Sequence, residues 1–169
     1  MSANPSIART QLWATQNDLP ERVRVEAIVL LNQQLADALD LHLQAKQAHW
    51  NVKGPSFIAL HELFDEVEEA LEEYADDIAE RAVALGGTAF GTVRAAATRS
   101  RLPEYPLHIH SGAEHVAALS AALAQFGKST RAAIDFAAEL GEADTADLFT
   151  GVSRGVDKLL WKVEAHSYQ

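Results

Sequence analysis

The chain has 169 residues, with 48% hydrophobic and 22% charged residues, which is an ordinary globular composition and enough for one domain with a real core. It has no cysteine, so disulfides and thiolate metal sites are excluded. A formal net charge of −10 opposes a nucleic-acid backbone and attracts cations.

Residues 1–20 read as a tail. Pro5, Asn17 and Asp18 interrupt it, no long apolar run occurs, and Arg9 is its only basic side chain. No signal peptide and no transmembrane segment are expected, which makes the cytoplasm the default. Trp13 can pin part of the tail to a surface.

Residues 21–169 read as a four-helix bundle. The first long helix is expected over 21–51, with Ile28, Leu31, Leu35, Leu39 and Leu43 at helical spacing. His42 and His49 are seven apart, roughly on one face. His42 is better read as packed or solvated than as a ligand, and His49 stays open on spacing alone.

The second helix is expected over 56–85. Pro55 suits its first turn, Ser56 can meet free N–H groups, and Gly86-Gly87 stops it. Leu60, Phe64, Val67, Leu71, Tyr74, Ile78 and Ala82 form its apolar stripe. At about 100° per residue, His61, Asp65, Asp76 and Glu80 fall off that stripe. His61 and Asp65 are four apart, as are Asp76 and Glu80, so each pair can chelate one ion. The pairs are separated by about 22 Å along the axis. One helix cannot bring both to a single metal, whereas two antiparallel copies about a two-fold axis can. On spacing alone solvation is the better explanation of acids on a helix surface, because Glu62 to Glu80 is acid-rich throughout.

Residues 88–110 read as a crossover with a short helix near 92–98, long enough to let the third long helix run parallel to the second. Arg94, Arg99 and Arg101 in it are expected to be solvated or to make subunit contacts. His108, His110 and His115 lie close in sequence, but only Glu114 is at hand to complete a ligand set, and opportunistic zinc binding is favoured over a built site. The third long helix is expected over 111–140, with Val116, Leu119, Leu123, Phe126, Thr130, Ile134 and Ala137 inward. A fourth opens at Asp144 or Thr145, carries Phe149, Val152, Val156, Leu159 and Val163, and ends near Ala165. Asp144 and Asp147 at its start suit capping and the helix dipole. His166 lies beyond it and has no assigned role.

The string AHWNVKGPSFIALHELFDE, followed by DDIAERAVALGG, resembles the signature of the Dps family, the miniferritins, and family-like features extend almost to the C-terminus. The resemblance implies a ferritin-like four-helix bundle and a ferroxidase centre at a dimer interface. By position, His49, His61 and Asp65 would come from one subunit, with Asp76 and Glu80 from its neighbour. It also implies that Fe2+ is oxidised, preferably by hydrogen peroxide, and stored as ferric mineral in a hollow dodecamer. Asp144 and Asp147 would then line a three-fold pore. The ligand types suit iron, and also manganese or zinc. The chain lacks the Glu-x-x-His that a conventional di-iron bundle carries in its own core. Trp50 is read as interface packing rather than as an acceptor of stray oxidising equivalents. The alternative function is DNA compaction in the nucleoid with iron oxidation secondary; the acidic charge and the tail argue that DNA binding is weak.

Overall fold

The computed structural model describes residues 11–168. They form α1 (Glu21–Asn51), α2 (Phe57–Ala84), α3 (Val93–Arg99), α4 (Gly112–Glu139) and α5 (Ala143–Glu164), with a closing 3-10 turn at Ala165–Ser167. Among the described residues there is no strand, only an isolated bridge between Lys53 and Ser111. The architecture is the expected all-α one. Among the described residues no helix is long and apolar enough to cross a membrane.

Cross-helix contacts fix the directions. Between α1 and α2, His49 meets His61, Lys46 meets Asp65 and His42 meets Glu68, so numbers fall on one helix as they rise on the other. The same descending order joins α2 to α5 through Glu66–Lys162 and Arg81–Glu142. The starts of α2 and α4 lie together instead. Lys53 N donates to the His110 carbonyl at 2.9 Å, and a Cβ on Gly112 would lie 2.5 Å from Leu60 Cδ1. Thus α2 and α4 run parallel, and residues 85–111 carry the chain from the end of one back to the start of the other.

The stripe of α2 is buried as read, except that Tyr74 is half-buried, its ring lying against Gly155. The stripe of α1 needs correction. Leu31, Leu35, Leu39 and Leu43 are each four apart, and each such step overshoots a full turn by about 40°. By Leu43 the side chain has left the core and is 46% exposed, while Leu41, Ala45 and Ala48 take the inward line.

One side of α1 buries polar groups. Asn32 donates to the Thr88 carbonyl and accepts from Phe90 N. Asp37, 1% exposed, accepts from Arg101 N at 2.8 Å and pairs with its guanidinium at 2.5 Å. Asp40 accepts from Ser100 Oγ, and Gln44 donates to the Pro103 carbonyl. A buried carboxylate is tolerated only with such partners. Arg101 is therefore a clamp on the crossover, with its side chain still 47% exposed to solvent, and Arg99 lies over the Phe90 ring at 4.7 Å.

Helix ends differ in detail from the sequence reading. Ser56 makes no side-chain cap, and Pro55 lies in the turn before α2. Ser111 and Glu114 form a reciprocal capping box at α4, so Glu114 is committed there and its carboxyl is held below the usual range by the Ser111 hydrogen bonds. The cap of α5 is Glu142, which accepts from Thr145 N at 2.9 Å; neither Asp144 nor Asp147 caps it. Gly86 stops α2 with φ +87°. A Cβ there would meet Trp13 O at 2.8 Å, and Trp13 N donates to Gly86 O, so Trp13 is pinned as expected. Pro5 and Arg9 lie outside the described residues.

Candidate metal centre

The last turns of α1 face the first turns of α2. His49 Nδ1 donates to the His61 carbonyl at 2.8 Å, and His61 Nδ1 donates to the His49 carbonyl at 2.8 Å. A carbonyl can only accept, so both Nδ1 atoms carry hydrogen. In the neutral imidazoles each Nε2 then keeps its lone pair, the atom a metal takes. The rings stack at 3.7 Å and 18°, and Phe57 continues the stack on His61 at 5.1 Å. The antiparallel register makes the exchange possible: residues 49 and 61 are opposite one another, so each ring reaches the other's backbone.

Asp65 lies one turn along α2. Its carboxylate is 3.6 Å from His49 Nδ1, too long for a hydrogen bond, and accepts from Lys46 Nζ at 2.8 Å. The Lys46 hydrogen bond holds the Asp65 carboxyl below its usual range, and the same bond, with the one Lys46 donates to Glu68, holds the Lys46 ammonium above its own. Glu68 accepts from Lys46 at 3.0 Å, and His42 Nδ1 is 3.3 Å from the Glu68 carbonyl, so His42 is a packed residue. The sequence reading missed Lys46 and Phe57. Their signal was positional: Lys46 is three before His49, and Phe57 is four before His61, each one turn away on the same face.

Asp76 and Glu80 are exposed on the later turns of α2, and neither side chain makes a hydrogen bond or ion pair with another described residue. Asp76 borders a groove with Leu35, Leu39 and His42. Among the described residues no group of three or more His, Cys, Asp or Glu in a single chain is placed to hold a metal ion. The chain thus brings His49 and His61 together with Asp65 beside them and keeps Asp76 and Glu80 apart. Near the histidines in sequence, Leu43, Trp50, Phe57 and Ile58 are 46%, 66%, 41% and 60% exposed, and of these Phe57 stacks on His61.

The other candidates separate. Asp144 and Asp147 are exposed at the start of α5, with Asp144 3.5 Å from Arg81 Nη2. His108 and His110 are exposed, whereas His115 is buried and hydrogen-bonded to Tyr105, so these three do not converge. His166 is exposed, with Nδ1 3.0 Å from the Lys162 carbonyl.

The ferritin-like domain family matches residues 28–168. The chain is 46% identical over 152 residues to a DNA protection during starvation protein of Agrobacterium fabrum, covering 90% of this chain and 94% of the relative. It is 35% identical over 137 residues to the protein of that name from Mycolicibacterium smegmatis, covering 81% of this chain and 74% of the relative. Among solved structures, DpsC from Streptomyces coelicolor superposes with a TM-score of 0.90 at 28% identity, covering 94% and 93% of the two chains. Dps from Mycobacterium smegmatis superposes with 0.86 at 32% identity, covering 91% and 94%. The parallel second and third long helices, the crossover between them and these matches together place the chain in the ferritin-like family, among the Dps proteins.

Proposed function

We propose that this chain oxidises Fe2+ and stores it as ferric mineral, with each oxidation centre built from two copies. His49, His61 and Asp65 of one copy and Asp76 and Glu80 of the next would take iron as substrate. The reciprocal hydrogen bonds of His49 and His61 carry the reading, because they set both rings in the tautomer that offers Nε2 to a metal. Two imidazoles and three carboxylates suit Fe2+ and become stronger partners for Fe3+; manganese and zinc fit the same donors. Peroxide would accept one electron from each of two Fe2+ and, with two protons, leave as water; dioxygen is the other candidate oxidant. Consuming both reagents suppresses hydroxyl-radical formation, which is how such a protein protects DNA without needing to hold it tightly.

A second copy of the chain would cover the exposed Leu43, Trp50, Phe57 and Ile58 on the end of α1 and the start of α2. Repetition of that contact about further axes would close the hollow dodecamer that Dps membership implies. Asp144 and Asp147 would then form acidic rings that draw Fe2+ inward. We place the protein in the cytoplasm, in reach of the nucleoid.

The test adds Fe2+ and then peroxide to the assembled protein while following ferric absorbance, with particle mass and bound iron measured on the same sample. Rapid oxidation, a twelve-chain mass and retained iron are expected. Oxidation no faster than in buffer would overturn the reading.

A further inference from the structure

The two imidazoles of the candidate centre have an aromatic neighbour that carries no metal donor. Phe57 is the first residue of α2, and its ring lies 5.1 Å from that of His61 at 29°, while His61 lies 3.7 Å from His49 at 18°. The three rings make one stack with Phe57 at an end. Aromatic pairs at this spacing attract beyond the area they bury. Core packing does not account for the ring, because 41% of Phe57 is exposed.

The turn between α1 and α2 places that ring. Val52 N donates to the Ala48 carbonyl and closes α1, and Lys53 N donates to the His110 carbonyl, which ties the turn to the approach to α4. Gly54 has φ +116°, a conformation that residues with a Cβ rarely adopt, and its carbonyl accepts from Phe57 N at 3.0 Å. Phe57 thus enters α2 from a turn whose backbone is fixed. His61 follows four residues later, one helical turn on and on the same face.

Hydrogen bonding alone does not fix the histidine rings. Each has one such bond from Nδ1, to the carbonyl of the other residue. A ring held only at Nδ1 can tilt about that bond, and tilting displaces Nε2 on the far side of the ring. Ring stacking supplies the second restraint. His49 receives it from His61, and His61 from both His49 and Phe57.

We propose that Phe57 is a positioning residue for the iron centre, which rests on the iron-oxidising function above. Its ring fixes the tilt of His61, and through the stacked pair that of His49, so that both Nε2 lone pairs are aimed before the ion arrives. The ordering of the rings then takes place on folding and not on metal binding, which tightens binding. Phe57 has no donor atom and takes no part in the electron transfer. Its effect therefore falls on Fe2+ affinity, while the maximal rate is little altered.

The test compares assembled wild type with Phe57→Leu, which keeps an apolar side chain without a ring, and with Phe57→Tyr, which keeps the ring. Co2+ is titrated without oxidant and followed by its visible absorption. Initial rates of Fe2+ oxidation by peroxide are then measured against Fe2+ concentration, and particle mass is checked for each protein. In Phe57→Leu, Co2+ affinity is expected to fall about fivefold, a factor within the range that one stacked aromatic pair supports. The Fe2+ concentration at half-maximal rate should rise by a similar factor, and the maximal rate should change by no more than about twofold. Phe57→Tyr should match wild type in both measurements. Wild-type Co2+ affinity in Phe57→Leu, equal losses in the two variants, or a loss confined to the maximal rate overturns the proposal. A lower particle mass in Phe57→Leu also overturns it, since the ring would then serve the contact between copies. If wild type oxidises Fe2+ no faster than buffer, the ferroxidase reading has failed separately, and the Co2+ comparison still decides the role of the ring. Absence of Co2+ binding in wild type removes the histidine donors, and the proposal with them.

Discussion

Arg81 Nη2 and Glu142 Oε1 meet at 2.8 Å where the end of α2 crosses the start of α5, and both side chains are largely buried, 17% and 2% exposed. The same carboxylate accepts from Thr145 N, and Arg81 Nε donates to Thr145 Oγ1, so one triad ties the two helices. Glu142→Ala would leave the guanidinium without its main partner and α5 without a cap. A loss of about 3 kcal/mol is expected from the urea midpoint. Glu142→Gln, which can still accept from Thr145 N, should lose less.

The proposed sharing of each centre between two copies predicts complementation. One variant carries His61→Ala and Asp65→Ala, the other Asp76→Ala and Glu80→Ala. Each should assemble and oxidise Fe2+ slowly, because none of the four side chains belongs to the buried core. Unfolded together and reassembled, they should regain about a quarter of wild-type activity, since random pairing makes half the dimers mixed and each mixed dimer has one intact centre. Activity no higher than that of the single variants, in particles shown by mass to be mixed, would mean that no centre is shared.

Asp144→Asn with Asp147→Asn should slow iron entry and leave particle mass unchanged. Both side chains are exposed and neither caps α5, so the change costs the fold little. An uptake rate equal to wild type would remove them from the path of the ion.

DNA binding should be weak at physiological salt. The net charge is −10, and the basic groups near the start of α1 are engaged: Arg22 lies 3.5 Å from Glu26, and Arg24 donates to the carbonyls of Leu19 and Leu85. Gel retardation across a salt series with chelator present checks this; a tight, salt-resistant complex would contradict it.

Stability should fall on mild acidification because of His115. Burial holds its folded pKa below the ordinary value of 6.5; His110 adds to that effect and Glu114 opposes it. Between the folded and unfolded values only the unfolded chain binds the proton, so stability is full above about pH 6.5 and is lost as pH falls towards the folded value, by at most about 1.4 kcal/mol per pH unit. His115→Gln should flatten that part of a urea-midpoint profile relative to wild type. An unchanged slope would assign it to other groups.

What could be read from the sequence was what depends on neighbours along the chain. The span of α1, the stop at Gly86 and the inward residues of α2, α4 and α5 follow from local periodicity and breakers. The separation of His61 from Asp76 is likewise a property of one helix. The exchange of hydrogen bonds between His49 and His61 required the register of two helices, which spacing within either does not fix. Asp37 meets Arg101 across 64 positions, and no local pattern marks either as a partner of the other. The caps misled for a related reason: an Asp near a helix start is a good cap by type, but the residue with capping geometry was Glu142, whose second oxygen Arg81 had already drawn into place.

The polar seam of α1 does more than anchor a loop. Asn32, Asp37, Asp40 and Gln44 meet residues of the crossover between Thr88 and Pro103, and each leaves a stranded polar group if its partner is missing. A chain that left α2 and turned straight back, in a plain up-and-down bundle, would bury that seam against apolar side chains with its hydrogen bonds unmet. The seam therefore works as a lock on chain path. It adds little to the choice of four helices, but it penalises the competing route through them. Replacing it with leucines would yield a helix greasier on every side, and a chain with two foldings to choose between.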